Sequence, residues 1–500
     1  MFQSRIGVAT LGLSLATVAC ITVLAGVQPR QIGESGESGQ AATTPKNPYE
    51  DLPFDHPPTL TGVLPRQVPF LDQAPDDPTA ARPFFDNFSW RSFVALNWPV
   101  DPKDRGQPRD PKDAAVFRDA KNGYASVWGS YREAFELFSQ GDQTPPPWNG
   151  GLPANNPCGA KEGERTFVMV TKGGSVLDEI NQAFSYPLID QNREYAHYEI
   201  RFNQAQYSKI RDARWYLVRE LAKAEPVMLP MSLPGNTQVP NWVGDGSIMV
   251  KAAWRRMTDD DVTRGRYYMI TANLFLPQPP TPKEKTEGTP TDPANTDDGS
   301  GTAGTCVKAK VGLVGFHIAR KIEDFPQWIW STFEQVDNLS VPPGADFKPS
   351  FNNGTDTPKT VGGWADRPAA KAPQLQPKDQ RVPVQVTRLN PIPTTPEDFS
   401  TVDLNAIYQK ALAGTVWQYY ELVATQWPTD QTGAKLLEQG GIYPDSCGHA
   451  FPVNGIVNTS AETYVQSLND AQGAGGNSCM SCHYRAGQAD FSWVLMDRAH

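Results

Sequence analysis

The chain has 500 residues, 39% apolar and 20% charged, enough to bury a sizeable core in one large domain or up to about three of average size. A net charge of −10 with no long Lys/Arg run argues against a nucleic-acid binder, whose affinity comes largely from basic groups meeting phosphates. The 46 prolines require long stretches of loop, because proline interrupts helix interiors and central strands.

Residues 1–30 read as a secretory signal or N-terminal anchor. Arg5 supplies the positive region, Ile6 to Ala25 carry no charge, and Val23-Leu24-Ala25 resembles a small-residue cleavage site. The apolar run is also long enough to span a membrane. A lipoprotein reading with Cys20 as the modified residue fits Thr17-Val18-Ala19 poorly. All three readings place the rest of the chain outside the cytoplasm, in the periplasm or at the cell surface, with membrane contact only through such an anchor. Residues 31–80, rich in Pro, Gly, Ser and Thr, read as a disordered tether.

Order is expected from about Pro83. Phe84 to Trp98 predicts a helix with Phe85, Trp90, Phe93 and Leu96 turned inward, and Val127 to Phe138 a second amphipathic stretch. Strands are expected at Thr166–Thr171, Tyr195–Phe202, Ser247–Trp254, Arg266–Leu276 and, as a buried one, Val311–Ile318. Proline-rich insertions interrupt this body near 277–305 and 342–396. Pro326 suits the first turn of a helix bearing Trp328, Trp330 and Phe333. On that helix Glu334 and Asp337 would mark a solvated face or, less simply, flank a pocket. A helix over Leu404–Leu412 and a strand over Tyr420–Trp427 follow, and Thr459-Ser460-Ala461-Glu462 reads as a capping box opening a short helix.

The chemistry-bearing pattern is Cys479-Met480-Ser481-Cys482-His483. Two thiols separated by two residues reach the vinyl groups of neighbouring haem rings as thioethers, and the His that follows is held beneath the iron. A redox dithiol would sit near a βαβ pattern, and a zinc site would need a second ligand pair; neither accompanies the motif. One motif implies one covalent haem c, bound through Cys479 and Cys482 with His483 on the iron. Only 17 residues follow His483, too few to build the small all-α cytochrome c fold downstream. The haem is therefore expected to rest on the upstream body, with residues 401–500 as a haem-binding region packed on an 81–400 body. Candidates for a distal ligand are His317, in the apolar run VGLVGFHI, and then His449, in CGHAFP. His197 is expected on a solvated strand face, His56 in the tether and His500 at a frayed end; Met269 and Met496, the latter in a short strand from Asp490, are remoter candidates. Of the remaining cysteines, Cys158, Cys306 and Cys447 allow one disulfide with one thiol left over, and sequence does not choose the pair.

The fold class expected is α+β: one large mixed domain with antiparallel strands, peripheral helices, long Pro-rich loops and a C-terminal haem-attachment segment. The stretches FSWRSFVALNWP at 88–99, GLVGFHIARKIEDFPQWIWSTFEQVDN at 312–338, VWQYYELVATQWP at 416–428 and SCMSCHYRAG at 478–487, with IMVKAAWRRM at 248–257, NTSAETYVQ at 458–466 and DFSWVLM at 490–496, resemble a family of exported bacterial cytochrome c proteins of largely uncharacterised activity. The resemblance implies haem binding and electron carriage at Cys479, Cys482 and His483. A monohaem carrier with an unidentified redox partner protein is the leading expectation. The alternatives are a haem enzyme with an open iron site acting on peroxide, oxygen or another small molecule, and an accessory subunit that donates electrons to a separate oxidoreductase.

Overall fold

The computed structural model describes residues 57–75, 77–138, 141–153, 158–161, 163–167, 182, 187–224, 226–233, 235, 237–277, 304–354, 378–396, 399–428, 456–466 and 479–499. The stretch 1–30 expected to be a signal or anchor, His56, His449, His500, Cys20 and Cys447 lie outside them, as does the centre of the Pro-rich stretch 277–305. The chain from Asp51 to His500 forms one compact unit.

Among the described residues an eight-stranded sheet organises this unit, with β1 (Val100–Asp101) and β2 (Asp104–Pro108) as a separate hairpin. Its strands are β3 (Arg132–Glu133), β4 (Arg165–Phe167), β5 (His197–Phe202), β6 (Ile248–Arg256), β7 (Met269–Pro277), β8 (Gly304–Ile322), β9 (Phe325–Gln335) and β10 (Tyr420–Gln426). The main path runs β10-β9-β8-β6-β5-β3, every pair antiparallel. One edge of β8 pairs with β6; the other pairs with β7 along Gly304–Gly312 and with β9 from Gly315 onward. Only β4 and β7 pair in parallel. The architecture is the expected α+β mixture, not a small all-α fold.

Strand alternation gives the sheet two faces with different duties. Phe316, Ile318, Ser331 and Phe333 lie on one. Against them packs the helix Pro78–Leu96, with Phe93 stacked 4.3 Å from Phe333 and Ser89 Oγ 2.7 Å from Ser331 Oγ. That helix starts earlier than expected because Asp77 caps it, accepting from the Ala80 N–H at 2.9 Å, and Pro78 occupies the first turn. It is buried nearly all round. The helix Thr401–Ala411 closes its far side, where Trp90 stacks on Tyr408 and donates to Asn405. This helix and β10, both from the 401–500 region, pack in the same core as the long helix.

Several local expectations are corrected. Pro326 begins no helix; it sits in β9, all of whose residues are buried. Strands β8 and β9 form a hairpin whose register shifts between Arg320 and Ile322, and proline is tolerated at such an irregularity because its missing N–H has no ladder partner there. Glu334 and Asp337 accordingly occupy no solvated face. Both are buried, Asp337 in a bidentate pair with Arg266 at 2.6 and 2.7 Å. The 127–138 stretch divides into a 3-10 turn at Trp128–Ser130, β3 and a helix at Ala134–Phe138. Asp490–Met496 is not a strand, since a helix covers Trp493–Arg498. The polar face of β5 is not solvated either: His197 is buried, and Glu199 accepts from Arg165 and Arg201 at 2.6 Å each. Burial drives the His197 pKa down to about 3, so its ring is neutral.

The tether shortens too. Leu60 and Val68 are buried, and Arg66 pairs with Asp245 at 3.1 Å, so the packed chain already includes residues expected to be disordered. In the second Pro-rich stretch Phe351, Val384 and Val386 join a core cluster with Tyr198, Ala253 and Tyr464. Cys158 and Cys306 form a disulfide, spanning 148 residues of sequence, which decides the pairing that the sequence left open. Among the described residues no helix is long and apolar enough to cross a membrane.

Candidate haem-attachment site

The sheet face opposite the long helix carries the site. Cross-strand register sets Lys251 beside His317 and His317 beside Thr332. One step along, Ala319 lies beside Trp330; one step back, Gly315 lies beside Glu334. Onto this face folds the segment 456–466. Asn458 Nδ2 donates to Thr332 Oγ1 at 2.9 Å and to the Phe333 carbonyl at 2.8 Å. Thr459 donates to Glu334 through its N–H at 2.5 Å and its Oγ1 at 2.7 Å. Gly315 permits the approach: a Cβ there would meet Ser460 Oγ at 2.2 Å. The expected capping box is therefore not formed. Thr459 bonds the sheet, the 3-10 turn begins only at Thr463, and Glu462 points to the strands.

Glu462 lies 3.2 Å from Lys251 Nζ and 3.2 Å from His317 Nε2. The His317 contact is at ion-pair distance without in-line hydrogen-bond geometry. Burial opposes ionisation of Glu462, but His317 and Lys251 outweigh it and hold the carboxyl at about 2.

Beside this group sits the motif. Cys479–His483 is one short helix, so positions 479 and 482 share a face and position 483 lies one full turn from 479. Met480 is fully buried, and its N–H donates to Gln426 Oε1 of β10 at 3.3 Å, tying the turn to the sheet edge. Cys479 is half-buried. The His483 ring lies 4.0 Å from that of Trp330. Its Nδ1 is 2.7 Å from the Phe491 carbonyl oxygen. A carbonyl only accepts, so Nδ1 carries the proton and the Nε2 lone pair is left for a metal. Burial lowers the His483 pKa to about 4, against the raising effect of the Phe491 carbonyl, with Lys251 and His317 adding to the lowering and Glu462 opposing them. The imidazole is thus neutral at neutral pH, the form that ligates iron.

These residues fit haem c: one helical turn carries both attachment positions, and a backbone carbonyl holds the neighbouring imidazole in its ligating tautomer, as the outer partners of metal-bound His do. Among the described residues no cluster of three or more His, Cys, Asp or Glu offers an alternative chelating site. His317 shares the sheet face with Trp330, on which His483 rests. Met496 is 39% exposed, and Met269 sits on β7 opposite Gly312, packed against the core cluster that holds Tyr198, Ala253 and Tyr464. Further along the same face a cavity of about 310 Å³ is lined by Glu334, Glu421, Arg388 and Asn338. Burial and the nearby Glu334 raise the Glu421 pKa to about 7, against the pull of Arg388.

Sequence reasoning missed Trp330, Phe491, Lys251 and Glu462. Trp330 was hidden by the helical reading of 326–338, and a carbonyl acceptor such as that of Phe491 leaves no mark on residue type. No family model, no curated protein and no solved structure matches this chain.

Proposed function

We propose that this chain is an extracytoplasmic monohaem c-type cytochrome that passes single electrons between partner proteins, in line with the cytochrome c resemblance of its sequence. The observation that carries the reading is the His483 hydrogen bond to the Phe491 carbonyl. It selects the Nδ1–H tautomer and aims Nε2 away, on a residue that directly follows Cys-x-x-Cys. Haem bound there supplies an iron that changes by one electron. The chain's own contribution is to hold and orient. Cys479 and Cys482 fix the macrocycle, Phe491 fixes the imidazole, Trp330 limits its tilt, and Met480 ties the turn to β10. His317 is our choice of distal ligand.

A second reading draws on the Lys251–Glu462–His317 group. If His317 stays with Glu462 and off the iron, the same face holds a charged polar group next to an open site, which suits an enzyme acting on peroxide, oxygen or another small molecule. Optical spectra of protein matured with a haem-attachment system separate the two. A low-spin reduced spectrum unaffected by carbon monoxide supports the carrier with two protein ligands. An immediate shift with carbon monoxide supports the open site, and no haem spectrum at all rejects both.

A further inference from the structure

We infer that the buried ion pair Lys321–Asp490 is the positioning element that sets the hydrogen bond on His483. The inference rests on the reading of His483 as an iron ligand, and its test is chosen to stand apart from that reading.

Asp490 and Phe491 both adopt left-handed backbone conformations, with φ of 53° and 62°. Residues other than glycine seldom do so, and two in succession need outside support. Only with this turn does the chain reverse after the 3-10 helix Tyr484–Ala489, so that the Phe491 N–H reaches the Ala486 carbonyl at 3.0 Å while its own carbonyl faces His483, eight residues back. Phe491 itself is fully buried.

The support comes from Asp490. Its carboxylate accepts from Lys321 Nζ at 2.5 and 2.7 Å and from the Leu229 N–H at 2.7 Å. Both side chains of the pair are almost wholly shielded from water, at 1% and 4% exposure. A buried charge pair of this kind is held by its own geometry, and removing one partner strands the other. Lys321 is itself fixed at the irregular end of β8: its N–H donates to the Ser247 carbonyl and its carbonyl accepts from Ser232, both at 3.0 Å. The pair therefore transmits the position of a central strand to the carbonyl that orients His483. It does not touch the imidazole, so its part is positioning and not ligation.

The test begins with haem-free protein. Nitrogen-15 NMR of the His483 imidazole, assigned by its loss in His483→Gln, reads tautomer and Nδ1–H exchange directly. The wild type is expected in the Nδ1–H form with slow exchange. Lys321→Met combined with Asp490→Asn removes both charges and keeps the shapes, so it folds where a single change that strands a charge would not. It should mix the tautomers and speed Nδ1–H exchange at least tenfold, whereas Lys321→Arg, which keeps the charge, should retain the wild-type pattern. In haem-loaded protein the double variant should also raise the reduction potential, because an imidazole that donates less from Nδ1 is a poorer donor to ferric iron. A folded double variant with unchanged tautomer and exchange overturns the inference. If the wild type never attaches haem, the functional reading fails while the imidazole result still decides the role of the pair.

Discussion

Replacing Gly315 with alanine tests how the site is assembled. The added Cβ would stand 2.2 Å from Ser460 Oγ and 3.0 Å from Asn458 Oδ1, and Ser460 cannot swing aside freely. Its N–H and Oγ both donate to Asn458 Oδ1, at 2.9 and 2.7 Å, and Asn458 is in turn bonded to Thr332 and Phe333. The turn must lift by roughly 1 Å to reach ordinary contact, and overpacking of this kind costs about 1–3 kcal/mol. For a unit spanning residues 51–500, an unfolding entropy of about 2.1 cal/mol/K per residue converts 2 kcal/mol into a fall in Tm of about 2 °C. Calorimetry and urea midpoints of Gly315→Ala, Ser460→Ala and the double variant form a cycle. Gly315→Ala should cost less than half as much in the Ser460→Ala background, because only the longer contacts with Asn458 Oδ1 at 3.0 Å and Ala253 Cβ at 3.3 Å then remain. A cost below about 0.5 kcal/mol, or a cost that is equal in both backgrounds to within the roughly 0.5 kcal/mol expected of independent sites, refutes the reasoning.

Three other outcomes follow from the same structure. Asp86 is fully buried in the long helix and accepts from Thr401 Oγ1 at 2.7 Å; burial raises its pKa from 3.8 to about 6, against its hydrogen bonds and Arg82. The folded state thus holds this proton more tightly than the unfolded chain, so its stabilising effect is full below about pH 4 and is lost as pH rises to about 6, by at most about 3 kcal/mol. Urea titrations of Asp86→Asn should show its stability relative to wild type improving over that window; a pH-independent difference contradicts the assignment. The Cys158–Cys306 bond closes a long loop, so Cys158→Ser and Cys306→Ser should each lower stability by about 2–5 kcal/mol. Reductant should do the same to the wild type, and peptide mapping that places Cys447 in the bond would sink the pairing. Glu462→Gln should lose the stability that its lowered pKa contributes to the wild type above about pH 4.5, and the wild type should lose that part as pH falls toward about 2; acid unfolding curves of the two proteins that stay parallel throughout would deny the Lys251–Glu462–His317 pairing.

What the sequence made legible was what residue type alone encodes. Val311–Ile318 is apolar and β-branched, and it forms the middle of β8. The aromatic run after Pro83 marks a helix, although its Asp77-Pro78 start lies in the stretch that reads as tether. The Cys-x-x-Cys-His spacing marks its own chemistry. The failures share one physical cause, which is that a local signal served two structures. Proline suits both the first turn of a helix and an irregular strand, and tertiary pairing with β8 chose the strand at Pro326. Glu462 stands three residues after Thr459 as in a capping box, but its carboxylate meets Lys251, His317 and the N–H of Asn458, one residue before the expected cap. The alternating polar residues of β5 face an ion-pair network and not water, because the partner arginines come from Arg165 and from β5 itself. Left-handed geometry at Asp490 and Phe491, which builds the carbonyl that His483 needs, has no signature in residues that rarely adopt it.

Intact-mass spectrometry of denatured protein, produced in the periplasm alongside a working haem-attachment system, decides whether haem is bound covalently at Cys479 and Cys482. The expected result is a single added haem mass per chain that survives denaturation and disappears in Cys479→Ala combined with Cys482→Ala. A bare polypeptide mass, found where a control cytochrome c in the same cells is fully matured, would contradict it.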